Sequence, residues 1–156
     1  MQQRPPPPCL TIIQPWVWAI EHAGKRCENR SWPTNRRGPL LLHAGMKYDH
    51  DGEAFVKRLC RREGIDFPDN APLTLLRGGV LLRVLLVGCF RAGDKTYHDA
   101  RDLPTIDRPV PADQRPWIFG PWCHLYDRIE LVDPVAVRGM PGYFNPPDLV
   151  IRKRKA

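Results

Sequence analysis

Proline limits this chain more than any other residue type. Eighteen prolines fall among 156 residues, gathered mainly at 5–8, 104–121 and 134–147. A proline removes a backbone donor and fixes φ, so it interrupts helix interiors and central strands alike. The regular elements must then be short pieces between these clusters, which argues against the all-helical classes. A loop-rich, β-type chain is the expectation. The length suits a single domain, and 42% hydrophobic residues allow a modest core.

Between the prolines the elements alternate. Residues 79–90 are almost wholly apolar, as in a central strand buried on both faces, and Gly78, Gly79 and Gly88 suit bends. Residues 9–13, 26–32 and 39–44 read as further strands, and strand character returns over 117–131. Pro15, with Gln14 before it and Gly24 after the run, brackets a short helix in which Trp16 and Ile20 lie one turn apart. A second helix is expected over 52–63, capped by Asp51 and ended by Gly64. Phe55, Val56, Leu59 and Cys60 form its inner stripe. Lys57, Arg58, Arg61 and Arg62 fall outside, as a solvated face or a nucleic-acid contact. Residues 94–115 are polar, proline-rich and too long for an ordinary hairpin, so they are a candidate lid or binding loop. Trp117 and Trp122 flank the turn signal Gly120-Pro121, where they either cover the core or stack on a base.

The formal charge of +7 invites a nucleic-acid reading, but Arg152, Lys153, Arg154 and Lys155 supply four of those charges and leave a body of +3. The chain therefore divides into a flexible proline-rich leader over 1–8, a domain over 9–150 and a basic tail over 151–156, expected as a disordered electrostatic arm or a solubilising end. Within the body, 25–37 carries five basic residues against the single acid Glu28. Five cysteines, an odd number with no C-x-x-C pair, argue for reduced thiols and an intracellular, cytoplasmic protein. The leader has no apolar run, so neither a signal peptide nor a membrane span is expected there. Cys27, His43, Cys123 and His124 have no standard ligand spacing, and neither metal nor cofactor is expected.

The chemistry concentrates in 10–45. Period-two alternation places Glu28, Arg30 and Trp32 on one face, close to Lys25 and to the Arg36-Arg37 pair. Unlike charges beside large aromatics are costly in a core unless every charge is paired. The stretch reads as the wall of a cleft, or else as a structural ion-pair cluster of Lys25, Glu28 and Arg30.

The order apolar strand, Gln14-Pro15-Trp16, Gly24-Lys25, Glu28, Arg30, Trp32, Arg37-Gly38 and the apolar run 40–43 resembles the ASCH (activating-signal-cointegrator homology) domain of the PUA-like superfamily. The likeness covers 10–45 and continues over 78–91 and 117–144, whereas 47–75 matches nothing in it. The resemblance implies an α+β fold built on a PUA-like β-barrel of five or six strands with two short flanking helices. It also implies RNA or DNA as partner, RNA before DNA, with a modified base among the candidates. Gln14, Trp16, Lys25, Glu28, Arg30, Trp32, Arg36 and Arg37 are the expected binding residues. Lys25 and Arg30 would hold phosphate or carbonyl oxygens, Glu28 would accept from an exocyclic amine, and Trp32 or Trp16 would stack.

Two other functions stay open. Some members of the family are amidohydrolases on acylated cytidine with a Lys-x-x-Thr-x-Arg pattern, and Glu28 stands at the threonine's place. A carboxylate serves as a base but cannot form the hydroxyl's ester intermediate, so Lys25 and Glu28 would have to activate a water. Others are ribonucleases, for which Lys25, His43, Lys47 and Tyr48 are the local acid-base groups, although His43 on its alternating strand also reads as a satisfied core histidine. The third function is a protein-interaction adaptor using the leader or the tail.

Overall fold

The computed structural model describes residues 4–99, 106–147 and 149–155. Among the described residues eight strands and three helices follow in the order β1 (Cys9–Gln14), α1 (Trp16–His22), β2 (Cys27–Arg30), β3 (Gly38–Tyr48), α2 (His50–Glu63), α3 (Ala71–Thr74), β4 (Gly79–Arg91), β5 (Thr96–Asp99), β6 (Ile106–Pro109), β7 (Trp122–Ala136) and β8 (Tyr143–Phe144). A 3-10 helix over Ala112–Trp117 precedes β7. Six strands form one sheet in the order β2-β7-β4-β3-β1-β8, and β5 pairs β6 in a small second sheet. The architecture is α+β, as expected.

The barrel is not closed. Its hydrogen-bonded order ends at β2 and β8, strands of four and two residues that do not pair with each other. Side chains approach across the gap instead. Arg30 of β2 donates from Nη2 to the Thr11 carbonyl of β1 at 2.5 Å, and Trp32, just beyond β2, packs edge-on against Tyr143 of β8 at 5.3 Å. The sheet is thus curled, with its edges tied by an arginine and an aromatic pair.

The curl encloses Leu10, Ile12, Leu40, Leu42, Leu82, Leu86 and Tyr126, with α1 contributing Val17 and Ile20. A second apolar cluster joins Trp18, Val56, Cys60, Val87, Phe90 and Trp117, and it is here that α2 packs. The outer face of the sheet is covered at Cys9, Leu41 and Val80 by Val137, Phe144, Leu149 and Ile151 from the C-terminal segment.

Helix α2 starts two residues before the expected position. Asp49, not Asp51, is its cap: one carboxylate oxygen accepts from Gly52 N at 2.8 Å and the other from Trp16 Nε1 at 2.9 Å. A distant indole therefore selects which aspartate caps. Gly64 ends the helix at φ 70°, where a side chain would be strained. Lys57, Arg58, Arg61 and Arg62 are exposed, as expected of the outer face.

The proposed lid over 94–115 is in its described parts an anchored element. It forms the β5–β6 pair and the 3-10 helix, and Tyr97, Val110 and Trp117 are buried in the second cluster; the middle, 100–105, lies outside the described residues. Trp117 is core, whereas Trp122 is half-buried beneath the Arg91 guanidinium at 4.9 Å.

The tail is not a disordered arm over its described length. Beyond the reach of β2, the β7 edge is free to pair, and there Asp133 N donates to Arg152 O at 2.8 Å and Arg154 N to Leu131 O at 2.9 Å. The side chains of residues 152–155 remain exposed. At the other end, Pro8 O accepts from Leu41 N at 2.8 Å, which ties the last residue of the leader to β3, while residues 1–3 and 156 lie outside the described residues. No helix among the described residues is long and apolar enough to cross a membrane, and all five cysteines are free.

Candidate nucleic-acid interface

The segment linking α1 to β2 is clamped from both sides. Gln114, 1% exposed, accepts from Arg26 N through Oε1 at 2.6 Å and donates from Nε2 to Gly24 O at 2.8 Å. Between those bonds Lys25 turns inward and is 1% exposed. Its ammonium donates to the Cys27 carbonyl, lies 3.3 Å from Glu28 Oε2, and sits 5.6 Å from the centre of the Trp16 ring. A buried ammonium needs such partners, because desolvation without pairing is prohibitive.

Glu28 bridges two cations. Its second oxygen, Oε1, lies 3.7 Å from Arg30 Nε, and the carboxylate is partly exposed where Lys25 is not. Arg30 is held by the Thr11 carbonyl and lies 6.0 Å from the centre of the Trp32 ring. Arg30 therefore adjoins both Glu28 and Trp32, although the strand expected over 26–32 ends at Arg30 and Trp32 lies beyond it. The opposite face of β2 is structural: Asn29 Oδ1 accepts from Phe119 N and Gly120 N, each at 2.8 Å, and its Nδ2 donates to Trp117 O at 2.9 Å. These bonds fix the turn before β7 that presents Phe119 to solvent beside Trp16 and Phe55.

Three residues of this neighbourhood were not anticipated as part of the site. β7 pairs antiparallel with β2, setting His124 opposite Glu28, and Tyr126 lies two residues further along the same face. His124 is fully buried; its Nε2 donates to Trp32 O at 3.0 Å and its Nδ1 accepts from the Tyr143 hydroxyl at 2.9 Å. Burial lowers its pKa below the usual 6.5, although the Trp32 hydrogen bond opposes the shift. Tyr143 is pushed up to about 12, mainly by burial, and so stays a neutral donor. Both rings orient Trp32, whose centroid lies 5.0 Å from His124 and 5.3 Å from Tyr143. Tyr126 is 2% exposed, and burial together with the nearby Glu28 charge holds its phenol well above the ordinary range. Its hydroxyl makes no hydrogen bond among the described residues, and neither does the buried Arg30 Nε. The period-two aromatic run Trp122, His124, Tyr126 was the available signal.

The remaining candidates separate. Gln14 is buried, accepting from Trp18 N at 3.0 Å and donating to Leu76 O at 3.1 Å, so it braces the start of α1. Trp16 is half-buried at the Lys25 side. Arg36 lies over the Tyr143 ring at 5.1 Å, and Arg37 donates to Thr34 O and Arg36 O at 3.1 and 2.8 Å; both turn toward the outer surface. His43 is a satisfied core histidine, donating from Nε2 to Val137 O at 2.6 Å and accepting from Thr11 Oγ1 at 3.1 Å. Tyr48 donates to Glu53 Oε1 at 2.7 Å, and Lys47 is exposed. Among the described residues no three His, Cys, Asp or Glu side chains are grouped as metal ligands. Two hollows lie away from the cluster: about 420 Å³ beside His22, Cys60 and Trp117, and about 670 Å³ between Ile13, Met46 and Arg138. The candidate interface is thus a side-chain array on the curled sheet rather than either of these hollows.

Comparison with known proteins agrees with the motif. The ASCH domain model matches residues 10–132. Activating signal cointegrator 1 of Homo sapiens is 36% identical over 76 residues, which cover 46% of this chain and 13% of that protein, and the Mus musculus protein of the same name matches equally. The chain therefore spans only a small part of the length of these relatives. A family match over most of the chain, on an α+β fold with a six-stranded sheet, means that this chain belongs to the ASCH domain family.

Proposed function

We propose that this ASCH domain binds RNA or DNA by holding one base or nucleotide against Glu28, Arg30 and Trp32. The observation that carries this reading is the buried Tyr126 hydroxyl, which has no hydrogen-bond partner among the described residues and lies close to the Glu28 and Arg30 charges. Buried polar groups are nearly always hydrogen-bonded, so an orphan donor beside a fixed carboxylate and guanidinium suits a polar ligand. A base offers complementary groups: an exocyclic amine to Glu28, a carbonyl or ring nitrogen to Arg30 or Tyr126, and a face to Trp32. Lys25 acts through Glu28 in this reading, because its ammonium is already bonded.

The test is equilibrium titration of the four nucleoside monophosphates and of short single-stranded RNA and DNA, with the same samples assayed for hydrolysis products. Bases carrying an exocyclic amine are expected to bind more tightly, and Glu28→Gln to erase that preference. Failure of every nucleotide and oligonucleotide to bind would remove the reading.

A further inference from the structure

A groove of about 630 Å³ runs over the outer surface where the leader, the turn before β3, β4 and the C-terminal segment meet. Arg4, Arg36, Arg37 and Arg83 line it, and no acidic side chain does among the described residues. None of the four is in an ion pair among the described residues, in contrast to Arg30 and Lys25. Arg37 is anchored by two backbone carbonyls, which orients its guanidinium without neutralising it. Pro5, Pro6, Pro7 and Pro8 form one wall, restricted in φ and without N–H donors, and Pro8 is tied to β3. Arg83 has Glu130 opposite it across the β4–β7 pair but forms no ion pair with it, and Arg4, Arg36 and Arg37 share the groove with no acidic side chain among its described lining residues, so the cluster favours a multivalent anion. Arg36 connects the groove to the site already described, since it lies over Tyr143, which packs against Trp32.

We infer that the groove is a phosphodiester track of this chain, with Arg4 and Arg83 as contacts that the 25–37 motif does not include. It takes the backbone of a single-stranded nucleic acid whose base occupies the Glu28 and Arg30 site. A base drawn against those side chains is unpaired, and its strand passes Arg36 on leaving. The inference rests on the proposed base site for the position of the strand, but the phosphate contacts are separately measurable.

The experiment is fluorescence anisotropy with labelled single strands of about 12 nucleotides, a length within the range of single-strand sites. Full-length protein, Arg4→Ala, Arg83→Ala and the double variant are compared at about 50 and about 200 mM salt. Each phosphate contact removed should shrink the affinity loss between those salts by about threefold, since the log–log slope falls by roughly 0.7–0.9 per contact. Mononucleotide affinity and base preference should not change, because phosphate contacts position without reading sequence. Charge reversal, Arg83→Glu, should weaken oligonucleotides further, and thermal melts equal to those of the unmodified protein guard against a folding defect. Unchanged salt dependence in the double variant overturns the track and leaves the base site standing. Loss of salt dependence in protein that binds no mononucleotide supports the track and removes the base site. Absence of oligonucleotide binding at the lower salt overturns the track outright.

Discussion

Two groups of cations stand on this molecule within the same stretch of sequence, and their surroundings differ in kind. Lys25 and Arg30 are turned toward the curled sheet, where Glu28 sits between them and backbone carbonyls take further protons. Arg36 and Arg37 face outward with Arg4 and Arg83, and among the described residues none of the four forms an ion pair, although Glu130 stands opposite Arg83 in the sheet. Charges with internal partners shape a surface, and breaking them damages the fold. Charges without an internal counter-ion lose no ion pair when removed and are available to an anion that arrives from outside. Adjacent basic residues in a motif can thus do different physical jobs.

The sharpest way to break this contrast is Lys25→Ala. Removing a buried ammonium leaves the Cys27 carbonyl and Glu28 without their donor, and the loss should be about 3–5 kcal/mol, read as a large fall in melting temperature. A melt within a degree of the unmodified protein would mean that Lys25 is not structural. Arg30→Ala comes next. It removes the tie from β2 to β1 at a partly exposed site, so about 1–3 kcal/mol is expected by chemical denaturation, together with weaker nucleotide binding. At the far end stand the groove arginines: Arg83→Ala should change stability by no more than about 0.5 kcal/mol, as at other surface positions.

His124 sharpens the same contrast through pH. Its pKa is depressed in the folded protein by burial, so the unfolded chain binds the proton more readily. Its contribution to stability is therefore complete above about pH 6.5 and is lost progressively as pH falls below that value. The melting temperature should drop between neutral and mildly acidic pH, and the drop should be smaller in His124→Gln, which cannot titrate. Equal drops in both proteins would assign the acid sensitivity to other groups.

Much of the frame was legible in the sequence. The apolar run of β4 had no alternative to burial, the Phe55 to Cys60 stripe oriented α2, and Gly64 marked its end. Strand alternation placed Glu28 and Arg30 on one face, whereas Trp32, expected in the same strand, lies beyond the end of β2 and reaches Arg30 from there. What escaped was decided by contacts between distant residues. Asp49 and Asp51 are equivalent caps locally, and the choice between them is made by Trp16, 33 positions away. Gln114 looks like one polar residue among prolines, yet it clamps the backbone on both sides of Lys25 from 88 and 90 positions off. The tail's composition indicates solvation, but an unfilled stretch of β7 edge gives its backbone somewhere to bond. The expected barrel stays open between β2 and β8, where side chains meet but the backbones do not pair, an outcome that propensity does not foretell.

Tyr126→Phe tests the central claim most directly, because it separates binding from folding in one variant. An unsatisfied buried hydroxyl costs roughly 1–3 kcal/mol, so its removal should leave stability unchanged or raise it by up to that amount. Nucleotide affinity, measured by calorimetric titration beside the melt, should nevertheless fall by about tenfold, the loss of roughly one hydrogen bond to the ligand. A more stable protein that binds less well is the expected result. A variant that binds nucleotides as tightly as the unmodified chain would contradict the account.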